Sequence, residues 1–165
     1  QVELKRTFCK AMEQHYEHCF LSDPIDQYFD HCFGRLPYRS ILFHQSNTNS
    51  QQSAPVINFT DYGRFTRVTQ WSLLPNSPGN NPGPHQITFE EPCSIEKNPG
   101  EYYYPVKTKD SEQLLKRYQA LAAAKANITF CGRTGLFRYI DMLPAVSLHL
   151  TMARNYIAKM NSQAA

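Results

Sequence analysis

The 165-residue sequence has no C-x-x-C pair, no G-x-G-x-x-G and no block of basic residues. Each absence excludes a class. Five cysteines without paired spacing build neither a disulfide framework nor a zinc site, and they point to a reducing, cytoplasmic compartment. His15, His18 and Cys19 lie close together, followed by His31 and Cys32, but their spacing is not that of a ligand set. Core or solvated histidines are expected there, and no metal. No apolar run approaches the roughly 20 residues of a membrane-spanning helix, and no signal peptide is expected. Lys and Arg are scattered and the formal charge is only +3, so a nucleic-acid groove is not expected. That small positive balance is compatible with an anionic small molecule. The missing glycine fingerprint means that this stretch carries no pyrophosphate loop of a dinucleotide fold. The chain opens on Gln1 rather than Met, and Val2 to Leu4 read as the tail of a strand. A piece of a longer protein is expected.

Aromatics are abundant, with ten Tyr and ten Phe. A phenol joins an apolar face to a hydrogen-bond donor, which suits a binding surface but equally a Tyr-rich sheet. The spacing predicts a short helix over 7–15 and a buried strand over 18–21. A helix opened by Pro24 should follow, with Ile25, Phe29 and Phe33 on one face and Gly34 at its end. The pattern then changes to strands at 38–43, 56–60, 65–73 and 86–90, joined by a polar loop over 45–55 and a Pro/Gly/Asn-rich loop over 75–84. This block reads as an antiparallel sheet. A helix over 110–125 capped by Ser111 or Asp110, a strand over 127–131, a loop over 132–139 and a helix over 141–160 complete the chain. The fold class expected is α+β: an antiparallel sheet domain plus the last strand and helix segments of an α/β nucleotide-binding type. The division expected is 1–34 in the α/β part, 35–108 in the sheet domain, and 109–165 returning to the α/β part.

Three polar constellations could carry chemistry. Arg64 and Arg67 flank Phe65, and strand alternation would put Arg67 on one face with Phe65 and Thr69. An arginine on a packed face needs an anionic partner, either a phosphate or a carboxylate. Tyr102, Tyr103 and Tyr104 precede Pro105 and must be extended. Alternation would set Tyr102 and Tyr104 on one side, as phosphate donors or as packing. Finally, Arg133, Arg138, Tyr139 and Asp141 crowd a strand-to-helix turn between Cys131 and Met142, where backbone N–H groups would favour an anion or a cofactor.

The run Asn-Ile-Thr-Phe-x-Gly-Arg-x-Gly-x-Phe-Arg-Tyr-x-Asp-Met over 127–142 resembles the C-terminal signature of UDP-galactopyranose mutases. So do Tyr-Tyr-Pro-Val at 103–106, Phe-Thr-Arg-Val at 65–68, Pro-Ile-Asp-Gln-Tyr-Phe at 24–29, Phe33-Gly34 and Tyr38-Arg39-Ser40. The motifs run in family order through nearly the whole chain. The resemblance implies the C-terminal part of a flavoprotein isomerase. Its members interconvert UDP-galactopyranose and UDP-galactofuranose for cell-surface polysaccharides such as lipopolysaccharide, with reduced FAD as a covalent catalyst. It implies that the α/β part is Rossmann-like and FAD-binding. Carried over, Arg67 is the expected catalytic residue, gripping the diphosphate. Tyr104, Tyr139 and Asp141 would join it in binding substrate, while Arg133, Asp141 and Met142 would approach the flavin. The partners implied are a UDP-galactose-type sugar nucleotide and the missing N-terminal half, and a homodimer is compatible with them. By itself the chain is expected to be inactive. A non-catalytic UDP-sugar-binding module of the same fold is the alternative. The sequence departs from the family in lacking the Gly-rich FAD motif and the helical insertion with its mobile arginine. Thr134 stands for Leu, and Gln70 for an acidic residue.

Overall fold

The structure is a computed structural model. It describes residues 2–75, 77 and 84–163, the side chain of residue 163 excepted. Along the chain run a 3₁₀ turn (Lys10–His15), β1 (Cys19–Leu21), α1 (Ile25–Tyr28), β2 (Tyr38–Thr48) and β3 (Val56–Asn58). Next come β4 (Arg67–Gln70), a second 3₁₀ turn (Trp71–Leu73), β5 (His85–Ser94) and β6 (Tyr104–Pro105). The return is α2 (Lys109–Ala123), β7 (Ile128–Phe130), α3 (Gly132–Gly135) and α4 (Met142–Gln163). The class is α+β. The chain divides into two compact units, one from Gln1–Pro37 with Tyr104–Ala165, the other Tyr38–Tyr103.

In the first unit β1 and β7 pair in parallel, Cys19 opposite Ile128 and Leu21 opposite Phe130. Their inward residues join Ile25, Tyr28, Leu36, Tyr118 and Phe137 in one core. The helix expected from Pro24 through Phe33 ends at Tyr28. Asp30 and His31 both adopt φ +53°, and that left-handed backbone cannot continue a helix. Tertiary contacts hold this turn against local periodicity. Buried Asp26 accepts from the Leu36 N–H at 2.9 Å and contacts His31 Nδ1 at 3.1 Å. The phenol of Tyr118, fully buried, accepts from the Phe33 N–H at 3.0 Å and donates to the Gly34 carbonyl at 2.7 Å. The cap of α2 is Thr108, one turn earlier than Ser111. Thr108 and Ser111 form a reciprocal capping box, so Ser111 is its inner member. α4 packs a half-buried row containing Leu148, His149, Met152 and Tyr156, while Leu143, Val146, Leu150 and Ile157 face outward.

In the second unit the strands lie in the order β3-β4-β5-β2, every pair antiparallel. β2 and β5 form a long ladder from Arg39 opposite Ser94 to Thr48 opposite His85. Gln45 to Thr48 therefore belong to a strand, not to the polar loop expected there. Polar side chains suit a sheet face open to water. The strand expected over 65–73 is only Arg67–Gln70, because the chain turns into a 3₁₀ helix at Trp71. Buried Gln70 explains the stop. Its Oε1 accepts the Gln52 N–H at 2.7 Å and its Nε2 donates to Ser72 Oγ at 3.1 Å. Most of the loop expected over 75–84 lies outside the described residues.

Candidate functional site

Arg67 sits on β4 directly opposite Asn58 and Glu90. Its Nε donates to Asn58 Oδ1 at 3.0 Å, and Nη1 lies 3.5 Å from Glu90 Oε1. The guanidinium thus has a carboxylate beside it and stays partly exposed, at 41% of its side chain. Phe65 does not share its face. Phe65 precedes the strand, and its ring meets His44 at 5.4 Å and Phe89 at 5.0 Å. Those two residues stand in register with Val68, on the opposite face from Arg67. Alternation fails here because the strand begins only at Arg67, after a bend at Thr66.

Arg64 bonds Glu91, through Nε at 2.7 Å and Nη2 at 2.6 Å. His44 Nε2 at 2.8 Å and Lys97 Nζ at 3.4 Å complete a ring of nitrogen donors around that carboxylate. The Arg64 hydrogen bond, helped by those from His44 and Lys97, overrides burial and holds the Glu91 carboxyl down to about 2.

In the first unit the structure brings three expected residues together. Tyr104, on β6, meets Tyr139 edge-on, with ring centroids 6.0 Å apart. The Arg133 guanidinium lies 5.7 Å from the Tyr139 ring centre. Tyr139 is 63% exposed, so the cluster presents phenol and guanidinium donors with an open ring face. Asp141 and Met142 follow at once, both exposed. The Asp141 carbonyl accepts the Ala145 N–H at 2.9 Å, the first bond of α4. Tyr102 instead packs on Tyr38 in the other unit, 4.9 Å between centroids. Arg67 also belongs to that other unit.

The loop expected over 132–139 contains the single-turn α3, whose glycines serve packing. Gly132 has φ +73°, and a Cβ there would lie 3.3 Å from the Ser22 Cβ. A Cβ on Gly135 would lie 2.9 Å from the Leu21 carbonyl oxygen. The anion expected at this turn meets a competitor. His149 of α4 takes the Gly132 N–H on its Nε2 at 2.7 Å. A lone histidine in an apolar helix carries no motif, so sequence reading passed over it. Glu91 was also missed; the only signal was its place in the alternating strand after Phe89.

An exposed ring beside cationic and phenolic donors is chemistry that suits an anionic or planar ligand. The UDP-galactopyranose mutase family profile matches residues 1–139, and the chain belongs to that family. It is 28% identical over 164 residues to a probable UDP-galactopyranose mutase of Klebsiella pneumoniae, covering 98% of this chain and 42% of that one. It is 32% identical over 162 residues to the UDP-galactopyranose mutase of Mycoplasma genitalium, covering 95% and 37%. Over 147 residues it is 30% identical to the dTDP-fucopyranose mutase of Escherichia coli, covering 87% and 38%. The chain therefore spans about two-fifths of the length of these curated relatives.

Proposed function

We propose that this chain is the C-terminal part of a flavin-dependent UDP-galactopyranose mutase, supplying diphosphate and flavin contacts to a longer protein. The observation that carries this reading is the family match over residues that include the Arg133–Tyr139–Tyr104 cluster. The first unit is read as part of a Rossmann-like FAD-binding domain, the second as the substrate sheet domain.

Residues here fit the ring end of a flavin. Arg133 stacked by Tyr139 offers a cation beside a planar face, and Asp141 and Met142 open the adjoining helix. They do not fit its pyrophosphate, since Gly132 and Gly135 are filled against Ser22 and Leu21. Bound FAD would supply the covalent nucleophile. This chain's residues do the rest. Tyr104 and Tyr139 donate phenol hydrogen bonds to phosphate oxygens, and Arg67 holds the diphosphate as negative charge grows on departure. Glu90, 3.5 Å from Arg67, and Asn58, at 3.0 Å, hold the guanidinium in place. The E. coli relative's named sugar is a dTDP-fucose, so nucleotide and sugar are open to exchange within the same diphosphate chemistry.

The test is Arg67→Ala in the longest natural polypeptide carrying this sequence. Turnover of UDP-galactofuranose should fall at least about 100-fold, the scale of losing one preorganised donor to a developing oxyanion. Circular dichroism and melting temperature should stay near wild type, because Arg67 is partly exposed. Normal turnover would remove Arg67 from the mechanism.

A further inference from the structure

We infer that His149 is a positioning residue: it is the built-in acceptor for the Gly132 backbone N–H and thereby sets the turn that presents Arg133 and Tyr139. The turn is poorly supported from within. α3 has four residues, and a helix leaves its first N–H groups without intrahelical partners. The Cys131 N–H goes to the Leu21 carbonyl at 2.8 Å, continuing the β1–β7 pairing. The next N–H, that of Gly132, has passed the end of β7 and turned away with φ +73°. His149 reaches it from α4, 17 residues further along, at 2.7 Å. The other ring nitrogen, Nδ1, stands 2.5 Å from the Ala145 carbonyl oxygen. A carbonyl can only accept, so Nδ1 carries the proton and Nε2 presents its lone pair to Gly132. Both nitrogens are thus committed, and the ring has one tautomer and one orientation.

What lies beyond the bond gives it consequence. The Arg138 N–H closes the turn on the Arg133 carbonyl at 2.9 Å. Thr134 Oγ1 donates to the Ser22 carbonyl. Arg133 then lies over Tyr139, and Tyr139 against Tyr104. The chain of contacts runs from α4 through Gly132 to the exposed cation and phenols. Without the acceptor, the half-buried Gly132 N–H loses its protein partner and the turn opens. The bearing on catalysis rests on the flavin reading above, but the positioning itself does not.

The experiment is hydrogen–deuterium exchange by mass spectrometry on the longest natural polypeptide carrying this sequence. It compares wild type, His149→Leu, which fills the space without an acceptor, and His149→Gln, whose amide oxygen reaches the Nε2 position. Exchange over 131–139 should be about fivefold to tenfold faster in the Leu variant, the scale of one net hydrogen bond, and wild-type-like in the Gln variant. Exchange in α2 should not change. Unchanged exchange at the turn, equal loosening in both variants, or a rise spread evenly over α2 and β7 each overturn the proposal. If the Leu variant does not fold, His149→Asn replaces it. That amide is too short to reach Gly132, so exchange equal to that of the Gln variant overturns the proposal. Preparations that hold no flavin and take up no added FAD, yet show the expected pattern, would overturn the mutase reading and leave this one standing.

Discussion

Three nitrogen donors converge on Glu91: Arg64, His44 and Lys97 all contact its one carboxylate. The three partners are each more than a third exposed, while the Glu91 side chain is 12% exposed. Its folded-state carboxyl, at about 2, lies below its ordinary value of 4.5. A depressed carboxylate adds stability that is complete above the unfolded value and is lost as pH falls toward the folded one. Glu91→Gln should therefore melt below wild type at pH 7, and the gap should close between about pH 4.5 and pH 2. Thermal melts of both proteins across that range test this, and a gap independent of pH would contradict it. Arg64 and Arg67 stood out in the sequence as a pair of cations around Phe65. Their separation onto Glu91 and Glu90 did not, because strand register selects carboxylates 23 to 27 residues away.

Among elements, the return through β7, α3 and α4 is held by close backbone contacts. Gly135 ends α3 with its Cα against β1 and the following turn. A methyl group there would lie 2.9 Å from the Leu21 carbonyl oxygen and 3.3 Å from that of Asp23. Those are backbone atoms and cannot swing aside. Gly135→Ala gains up to about 1 kcal/mol of helix propensity. The overpacking cost of about 1–3 kcal/mol outweighs it. The variant should melt several degrees lower, with the largest near-ultraviolet change from the aromatic core around Phe130 and Phe137. A rise in melting temperature would show that the contact relaxes. The helix over 110–125 was legible from its apolar spacing, but its cap, expected at Ser111 or Asp110, is Thr108. α1 was misread in length, because Asp26 and Tyr118 impose a turn on residues whose spacing alone favours a helix.

At the scale of the whole molecule, the chain holds two compact units and spans about two-fifths of its curated relatives. The glycine fingerprint for a dinucleotide pyrophosphate is not in this stretch, so the flavin reading requires sequence beyond it. The longest natural polypeptide carrying this sequence should purify with a flavin absorbance that bleaches on reduction. The 165-residue chain by itself should not. A colourless longer protein that also fails to take up added FAD would leave a sugar-nucleotide-binding module as the surviving account. Among the described residues no helix is long and apolar enough to cross a membrane, and no group of three His, Cys, Asp or Glu residues gathers as a metal set.

The sequence alone determined the alternation of sheet and helix blocks, the strand–turn–helix return and the order of motifs that marks the family. These rest on local periodicity and on residue identity at fixed spacing, both of which can be read along one dimension. Tertiary structure alone decided which residues meet. It gave Tyr139 to Tyr104 and Arg133, sent Phe65 to the face opposite Arg67, and brought His149 to Gly132. Such pairings depend on register and on long-range packing, where a one-residue shift in a strand reverses every side chain. No spacing rule along the chain contains that information.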